Sequence, residues 1–227
     1  EHSAAALNLT LPSDEILRSA ANDVIAMNAL TDCRMRITIT GGESSLGSDQ
    51  SSSAPTVVIA VGHLTEWPLK ASVVTVQWTR NERGATAGLK TTSYAENVRA
   101  LASAKSQGAE EAIFANTRGE LCEGTGSNVF VLQDGVLCTP PLSSGCLAGV
   151  TRAITIELAN RIGIPCEERD MPLAALAGAS EAFLTSSTRE IQAIGTLDGV
   201  SLASAPGPIT LQLQSAWREL LSTTLEP

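Results

Sequence analysis

Helix-type and strand-type hydrophobic spacing alternate along the chain after residue 90, and this alternation constrains the fold more than any other feature of the sequence. The first of these elements is a helix that Gly108 ends, with a predicted apolar stripe of Tyr94, Val98, Leu101 and Ala102. Further helices are predicted at 149–162, 173–177 and 208–223, and strands at 112–116, 128–132, 136–139, 164–169, 182–185 and 191–195. Helices that alternate with short strands predict an α/β (α+β) fold.

Fewer elements are predicted before residue 79. Residues 13–30 start with Ser-Asp-Glu, a capping residue followed by two acids at the positive end of a helix, and continue with apolar residues at helical spacing. Alternating β-branched residues predict strands at 36–40, 56–61 and 72–78. Residues 41–55 are rich in Gly, Ser and Asp, which predicts a mobile loop.

These elements predict two lobes. Residues 1–78 form the predicted small N-terminal lobe, which we expect to be incomplete because it contains few strands. Residues 79–89 are polar and contain glycine, and we predict that they join the two lobes. Residues 90–227 form the predicted large lobe, in which strands and helices are mixed.

Composition excludes several classes of protein. Apolar residues make up 43% of the 227 residues, which is typical of a folded chain. The net charge of −9 comes from scattered acids and argues against binding to nucleic-acid phosphates. No apolar run has the length of a membrane span, and residues 1–30 lack the pattern of a secretory signal. Five cysteines without C-x-x-C spacing or nearby histidines predict reduced thiols in a cytoplasmic protein, with no metal site.

Lys90 is one of three lysines in the chain, and it lies in a segment of small residues directly before a helical pattern. A lysine that is partly removed from water loses basicity and becomes a nucleophile toward carbonyl groups. Most lysines, however, are solvated surface groups. Taken alone, Lys90 is therefore open to both interpretations, a Schiff-base lysine or a surface lysine.

Three further segments of small residues carry candidate binding groups. Glu123 is followed by Gly-Thr-Gly, so it is either a solvent-facing turn residue or a carboxylate directed at a protonated ring nitrogen. Gly149 precedes a predicted helix that starts with Val150 and Thr151, and helix starts attract phosphate. The segment 185–189 combines four hydroxyls with an arginine after a strand, a combination suited to an anion. Together with Lys90, these groups meet the requirements of pyridoxal phosphate.

Four motifs in order make a family resemblance specific. They are GLKTTSYAENV, ELCEGTGSNVF, TPPLSSGCLAGVTR and EAFLTSSTREI, which lie between residues 84 and 199. In this order and spacing they resemble the class IV aminotransferases, the fold-type IV group of pyridoxal-phosphate enzymes. That family includes branched-chain aminotransferases, D-amino acid aminotransferases and aminodeoxychorismate lyases. The resemblance implies the two-lobed fold of these enzymes and a homodimer.

The resemblance also implies a role for each candidate residue. Lys90 is expected to form the internal aldimine with the cofactor and to move the proton at the substrate carbon. Glu123 is expected to bind the pyridine nitrogen, and Tyr94 to lie near the phenolic oxygen. The expected phosphate-binding residues are Gly149, Val150, Thr151, Ser187 and Thr188.

Two departures from the family pattern bear on function. The strands and the phosphate-binding arginine that normally precede an E-H-x-x-R-L segment do not occur before Glu1-His2, so we expect the sequence to be part of a longer polypeptide. Gly41-Gly42 stands where some lyases and D-amino acid enzymes have an arginine. We therefore predict an aminotransferase that acts on a small amino acid. The alternatives are an aminodeoxychorismate lyase, which releases pyruvate to form 4-aminobenzoate, and a non-catalytic relative.

Overall fold

A computed structural model describes residues 1–47, 53–64 and 66–224, and these residues form two packing units. The first unit contains Glu1–Glu66 and Leu89–Thr92, and the second contains Trp67–Gly88 and Ser93–Pro227. Part of the loop predicted at 41–55, residues 48–52, lies outside the described residues. In the part of the chain that the structure describes, no helix is both long and apolar enough to cross a membrane.

The first unit consists of two helices and a two-stranded antiparallel sheet. Helix α1 is His2–Ala6 and helix α2 is Asp14–Met27, and the sheet pairs β1, Cys33–Thr40, with β2, Thr56–His63. Ser13 caps α2 as predicted, because its Oγ accepts a hydrogen bond from the N–H of Ile16 at 3.4 Å. The strands predicted at 36–40 and 56–61 are confirmed and extend further than the β-branched residues indicated.

A nine-stranded mixed sheet organises the second unit. Its order is β5-β4-β3-β10-β9-β6-β7-β8, with β11 paired to β10. Strand β3 runs parallel to both β4 and β10, and β7 runs parallel to β8, whereas the other pairs are antiparallel. The strands are β3 Lys70–Arg80, β4 Glu111–Asn116, β5 Leu121–Gly124, β6 Asn128–Gln133, β7 Val136–Thr139, β8 Cys166–Glu168, β9 Glu181–Ser186, β10 Glu190–Leu197 and β11 Val200–Ser201.

Strand β3 corrects the predicted lobe assignment at one point. The strand predicted at 72–78 belongs to the predicted small N-terminal lobe, but β3 lies inside the large sheet. Its parallel pairing with β4 and β10 is the physical reason, since both of its edges are occupied by strands of the second unit. The division into lobes at 1–78 and 90–227 with a linker at 79–89 otherwise stays a prediction.

Two long helices pack on one face of the large sheet. Helices α4, Val150–Arg161, and α5, Pro208–Thr223, pack on Phe130 and Phe183, whose rings stack at a centroid distance of 4.9 Å. Short 3-10 helices at 142–144 and 173–176 complete the connections. Pro208 occupies the first turn of α5, as predicted.

The buried face of α3, Ala95–Ser106, differs from the predicted apolar stripe. Ala100 and Ala104 are buried against Val74 and Phe114 of the sheet. Val98, by contrast, is 65% exposed. Small side chains pack inward because they allow the helix axis to approach the strands closely. The prediction that the larger apolar residues form the buried face of α3 is therefore wrong.

The structure confirms the predicted hairpin and part of the prediction for the cysteines. The hairpin between β6 and β7 turns at Asp134-Gly135, both with positive φ, of 50° and 80°, as a two-residue hairpin requires. The five cysteines are free thiols. Cys122, Cys138 and Cys146 are buried as predicted for core thiols, while Cys33 and Cys166 are half-buried.

Candidate active site

The carboxylate of Glu123 is bound through both of its oxygen atoms. Oε1 accepts a hydrogen bond from Nε of Arg80 at 3.1 Å, and Oε2 accepts one from the backbone N–H of Leu147 at 2.9 Å. Glu123 lies in strand β5, not in a turn, and its side chain is 12% exposed. The protein therefore fixes the direction of this carboxylate and leaves part of it accessible.

Arg80 is itself held by two further groups. Its Nη1 donates to Oε2 of Glu96 at 3.3 Å, and its Cζ lies 4.4 Å from the ring centroid of Phe114. Arg80 is not among the site residues predicted from the sequence. The one available signal was a cation at the end of an apolar strand, and the contact with Glu123 depends on pairing between β3, β4 and β5 that the sequence does not show.

The start of α4 has the properties expected of an anion site. Gly149 is the N-cap residue, and no side chain caps the helix among the residues that the structure describes. The first N–H groups of an α-helix have no partner within the helix and carry its positive dipole end. A Cβ atom at Gly149 would lie 2.1 Å from Oδ1 of Asn128, so the close approach requires glycine here. Thr151 is buried, and Val150 is exposed.

Leu147 connects the acid to this helix start. Its N–H binds Glu123, and its carbonyl oxygen accepts a hydrogen bond from Nδ2 of Asn128 at 2.9 Å. Asn128 in turn packs against Gly149. Two of the predicted cofactor-binding segments, around Glu123 and around Gly149, are therefore brought together by direct contacts within the second unit.

The hydroxyl-rich turn lies between β9 and β10. Within the described residues, the hydroxyls of Ser187 and Thr188 have no hydrogen-bonding partner, and Ser187 is exposed. Oγ1 of Thr185 is buried and also lacks a partner in the described part of the chain. Ser186 instead stabilises the turn, because its Oγ accepts a hydrogen bond from the N–H of Arg189 at 3.2 Å. The turn thus presents two available hydroxyls.

The remaining predicted site residues are Tyr94 and Lys90. Tyr94 is the N-cap residue of α3 in the second unit, and its side chain is partly exposed. Lys90 is exposed and belongs to the first unit. There its backbone N–H donates to Oγ of Ser3 on α1 at 2.9 Å.

Two buried thiols lie next to the Glu123 contacts in sequence. Burial raises the pKa of Cys122, and the nearby Glu123 carboxylate adds to the effect. Burial also raises the pKa of Cys146. Because the thiolate is the reactive form of cysteine, burial disfavours the reactive form of both residues at neutral pH.

Comparison with known proteins identifies the family. A family model described as Amino-transferase class IV matches residues 1–196. The branched-chain-amino-acid aminotransferase of Escherichia coli is 30% identical over 223 residues, which cover 94% of this chain and 72% of that protein. The D-alanine aminotransferase of Listeria innocua is 32% identical over 231 residues, which cover 96% of this chain and 77% of that protein.

A solved structure agrees with these matches. The branched-chain aminotransferase of Thermobaculum terrenum in its PLP form superposes with a TM-score of 0.86 at 29% identity, covering 98% of this chain and 75% of that one. The fold expected from the resemblance is therefore confirmed. The chain belongs to the class IV aminotransferases.

Proposed function

We propose that the chain is a pyridoxal-phosphate-dependent aminotransferase that acts on a small amino acid, with Lys90 as the residue that bonds to the cofactor. The observation that carries the proposal is the carboxylate of Glu123, which Arg80 and Leu147 orient next to the uncapped start of α4. Membership in the class IV family supports it, since the enzymes of that family use this cofactor.

The groups present in the second unit fit the cofactor. A pyridinium N–H needs a carboxylate acceptor, which Glu123 supplies in a fixed orientation. A phosphate needs several donors, which the first N–H groups of α4 and the hydroxyls of Ser187 and Thr188 supply. Glycine at position 149 keeps the approach to those N–H groups free of a side chain. Tyr94 is proposed to lie near the phenolic oxygen, as the resemblance implies.

The proposed chemistry divides between the cofactor and the chain. When bound, pyridoxal phosphate supplies an electron sink for the carbon from which the substrate proton leaves. Lys90 is the proposed base that removes this proton and returns it to the product. Glu123 keeps the ring nitrogen protonated by offering an anionic acceptor that Arg80 prevents from turning away. Val150, Thr151 and Ser187 would hold the phosphate in place.

Assembly and location are also proposals. We propose a homodimer with a small-molecule amino acid or keto acid as substrate, as the resemblance implies. We further propose a cytoplasmic protein without nucleic-acid or membrane partners, which the net charge of −9 and the five free cysteines support.

The visible absorption of the bound cofactor tests the proposal. Purified protein incubated with pyridoxal phosphate should acquire a visible band that persists after gel filtration. Lys90→Ala should lose the band, whereas Lys105→Ala should keep it, because Lys105 is an exposed residue in the last turn of α3. A wild-type protein that acquires no band, or a band that survives in Lys90→Ala, would contradict the proposal.

Dependence on a keto acid distinguishes transamination from the lyase reaction. An aminotransferase converts its amino donor to product only when a keto-acid acceptor is added. A lyase releases pyruvate from aminodeoxychorismate without an acceptor. Pyruvate formation from aminodeoxychorismate alone would establish the alternative activity in place of the proposed one.

A further inference from the structure

One buried carboxylate outside the Glu123 cluster binds an unusual number of donors. Glu111, the first residue of β4, is 2% exposed and accepts hydrogen bonds from the N–H of Thr125 at 3.0 Å and from the hydroxyl of Ser127 at 3.0 Å. The hydroxyl of Thr125 and the N–H of Ala112 also donate to it. Its cationic partner is Arg189, whose Nη2 lies 3.5 Å from Oε2.

Arg189 is equally constrained. Its side chain is 5% exposed, its Cζ lies 3.6 Å from the ring centroid of Trp67, and its guanidinium donates to Oε1 of Gln192 and to the carbonyl oxygen of Glu110. Gln192 is fixed in turn by donating to the carbonyl oxygen of Pro68 at 2.6 Å. The guanidinium therefore has little freedom to move away from Glu111.

The ion pair bridges two segments that are not neighbours in the sheet. Glu111 begins β4 and Arg189 directly precedes β10, and β3 lies between these two parallel strands. On the Glu111 side, the bound residues Thr125 and Ser127 belong to the turn that follows Glu123. On the other side, Arg189 belongs to the turn that contains Ser187.

We infer that Glu111 and Arg189 are positioning residues that couple the turn after Glu123 to the turn that carries Ser187, so that the ring and phosphate contacts of the cofactor depend on one buried ion pair. This inference rests on the proposed function. A contribution to stability alone does not explain the arrangement, because a buried ion pair is commonly no more stabilising than apolar residues of the same size. Three of the hydrogen bonds to Glu111 instead come from the turn that follows Glu123.

Glu181 provides a matched control. It is also a buried carboxylate, and it caps α5 by accepting hydrogen bonds from the N–H of Ile209 at 3.1 Å and from the N–H and hydroxyl of Thr210 at 2.8 and 2.7 Å. Its partners lie at the start of α5, which contains none of the proposed cofactor-binding residues. Glu181→Gln should therefore lower the melting temperature without changing how the protein discriminates between ligands.

The test compares two ligands of the apoprotein, pyridoxal phosphate and pyridoxal, which lacks the phosphate. The dissociation constant of pyridoxal divided by that of pyridoxal phosphate, both measured by fluorescence titration, reports the phosphate contacts separately from overall stability. We expect Glu111→Gln and Arg189→Lys to lower this ratio about tenfold, a size that coupled contacting residues commonly show. Ser187→Ala alone should also lower this ratio. In the double variant with Glu111→Gln, it should lower the ratio little further.

Each contrary outcome has a separate meaning. A wild-type ratio in both variants, or a Ser187→Ala effect that adds fully to Glu111→Gln, would overturn the coupling and leave the proposed function intact. A wild-type protein that binds neither ligand would overturn both. If Glu111→Gln does not fold, Arg189→Lys decides alone, since it keeps the charge opposite Glu111.

Discussion

Arg80 donates to Glu123 across 3.1 Å, and both side chains are mostly buried. Arg80→Met removes the cation that opposes the Glu123 carboxylate and keeps the hydrogen bond from the N–H of Leu147. We expect affinity for pyridoxal phosphate to fall about tenfold to a hundredfold, the range that corresponds to losing a charge-assisted hydrogen bond. Equilibrium titration of the apoprotein measures it.

Arg99→Met is the matched control for that change. Arg99 is also an arginine over an aromatic ring, with its Cζ 4.6 Å from the centroid of Trp78. In the part of the chain that the structure describes, it makes no ion pair with Glu123. Its loss should leave the cofactor affinity within twofold of wild type. Equal effects of the two substitutions would show that Arg80 acts through general charge and not through Glu123.

Gly149→Ala tests the start of α4. The new Cβ atom would lie 2.1 Å from Oδ1 of Asn128, so either the asparagine or the helix start must shift. Overpacking of this kind typically lowers the free energy of unfolding by about 1–3 kcal/mol. Because the shift moves the proposed phosphate donors, the affinity for inorganic phosphate should fall as well.

Gly178→Ala separates this effect from the general properties of glycine. A Cβ atom at Gly178 would lie 3.9 Å from the carbonyl oxygen of Ala175, which is an ordinary contact. Chemical denaturation should show a stability at or slightly above wild type for this variant. Equal destabilisation by both substitutions would rule out the collision with Asn128 as the cause.

Glu82 should make stability depend on acidity between pH 4.5 and 2. Hydrogen bonds from the Thr117 hydroxyl and from backbone N–H groups lower the pKa of Glu82 from 4.5 to about 2, and the positive charge of Arg118 contributes to this shift. The unfolded chain takes up the proton near pH 4.5, whereas the folded chain does so only near pH 2. The contribution of Glu82 is therefore complete above pH 4.5 and is lost as the pH falls toward 2.

Thr117→Val checks this assignment by thermal melting across the same pH range. The substitution removes the hydroxyl that binds Glu82 at 2.7 Å, so the melting temperature should depend less steeply on pH in this window. Thr223→Val, which removes an exposed hydroxyl bound to the carbonyl oxygen of Leu220, should leave the slope unchanged. An unaltered slope in Thr117→Val would exclude its hydroxyl as the main cause.

The buried thiols should resist alkylation in the folded protein. Burial raises the pKa of Cys122. It also raises the pKa of the half-buried Cys166 from 9.0 to about 11, which lowers the thiolate fraction of Cys166 near pH 8 about a hundredfold. Mass spectrometry after iodoacetamide treatment should find Cys122, Cys138 and Cys146 unmodified. All five cysteines should react in urea, and rapid labelling of Cys122 without urea would contradict its burial.

Local patterns predicted most elements of the fold, and long-range pairing decided what they missed. The cap at Ser13, the Asp134-Gly135 turn and the proline of α5 depend on neighbouring residues, and all three were predicted. The position of β3 between β4 and β10 depends on strands that lie 31 or more residues further along the chain, and no local pattern reports it. The inward face of α3 likewise depends on how closely the sheet approaches Ala100.

The candidate site shows the same division. Glu123, Gly149 and Ser187 lie in motifs whose small residues mark an unusual backbone, so they could be named as candidates from the sequence. Arg80 and Glu111 lie in strand patterns that resemble any other strand, and their importance arises only from the partners that the sheet brings to them. The roles of Lys90 and Tyr94 remain predictions from the family resemblance.

Leu147 binds Glu123 through its N–H and Asn128 through its carbonyl oxygen, and both hydrogen bonds use the peptide backbone of Leu147. Any L-amino acid other than proline offers the same two groups. An alanine scan would therefore pass over this position as tolerant, whereas a proline scan would reveal it. For the same reason, substitutions at residue 147 during evolution can leave the Glu123 contact intact, provided that the new residue keeps a backbone N–H.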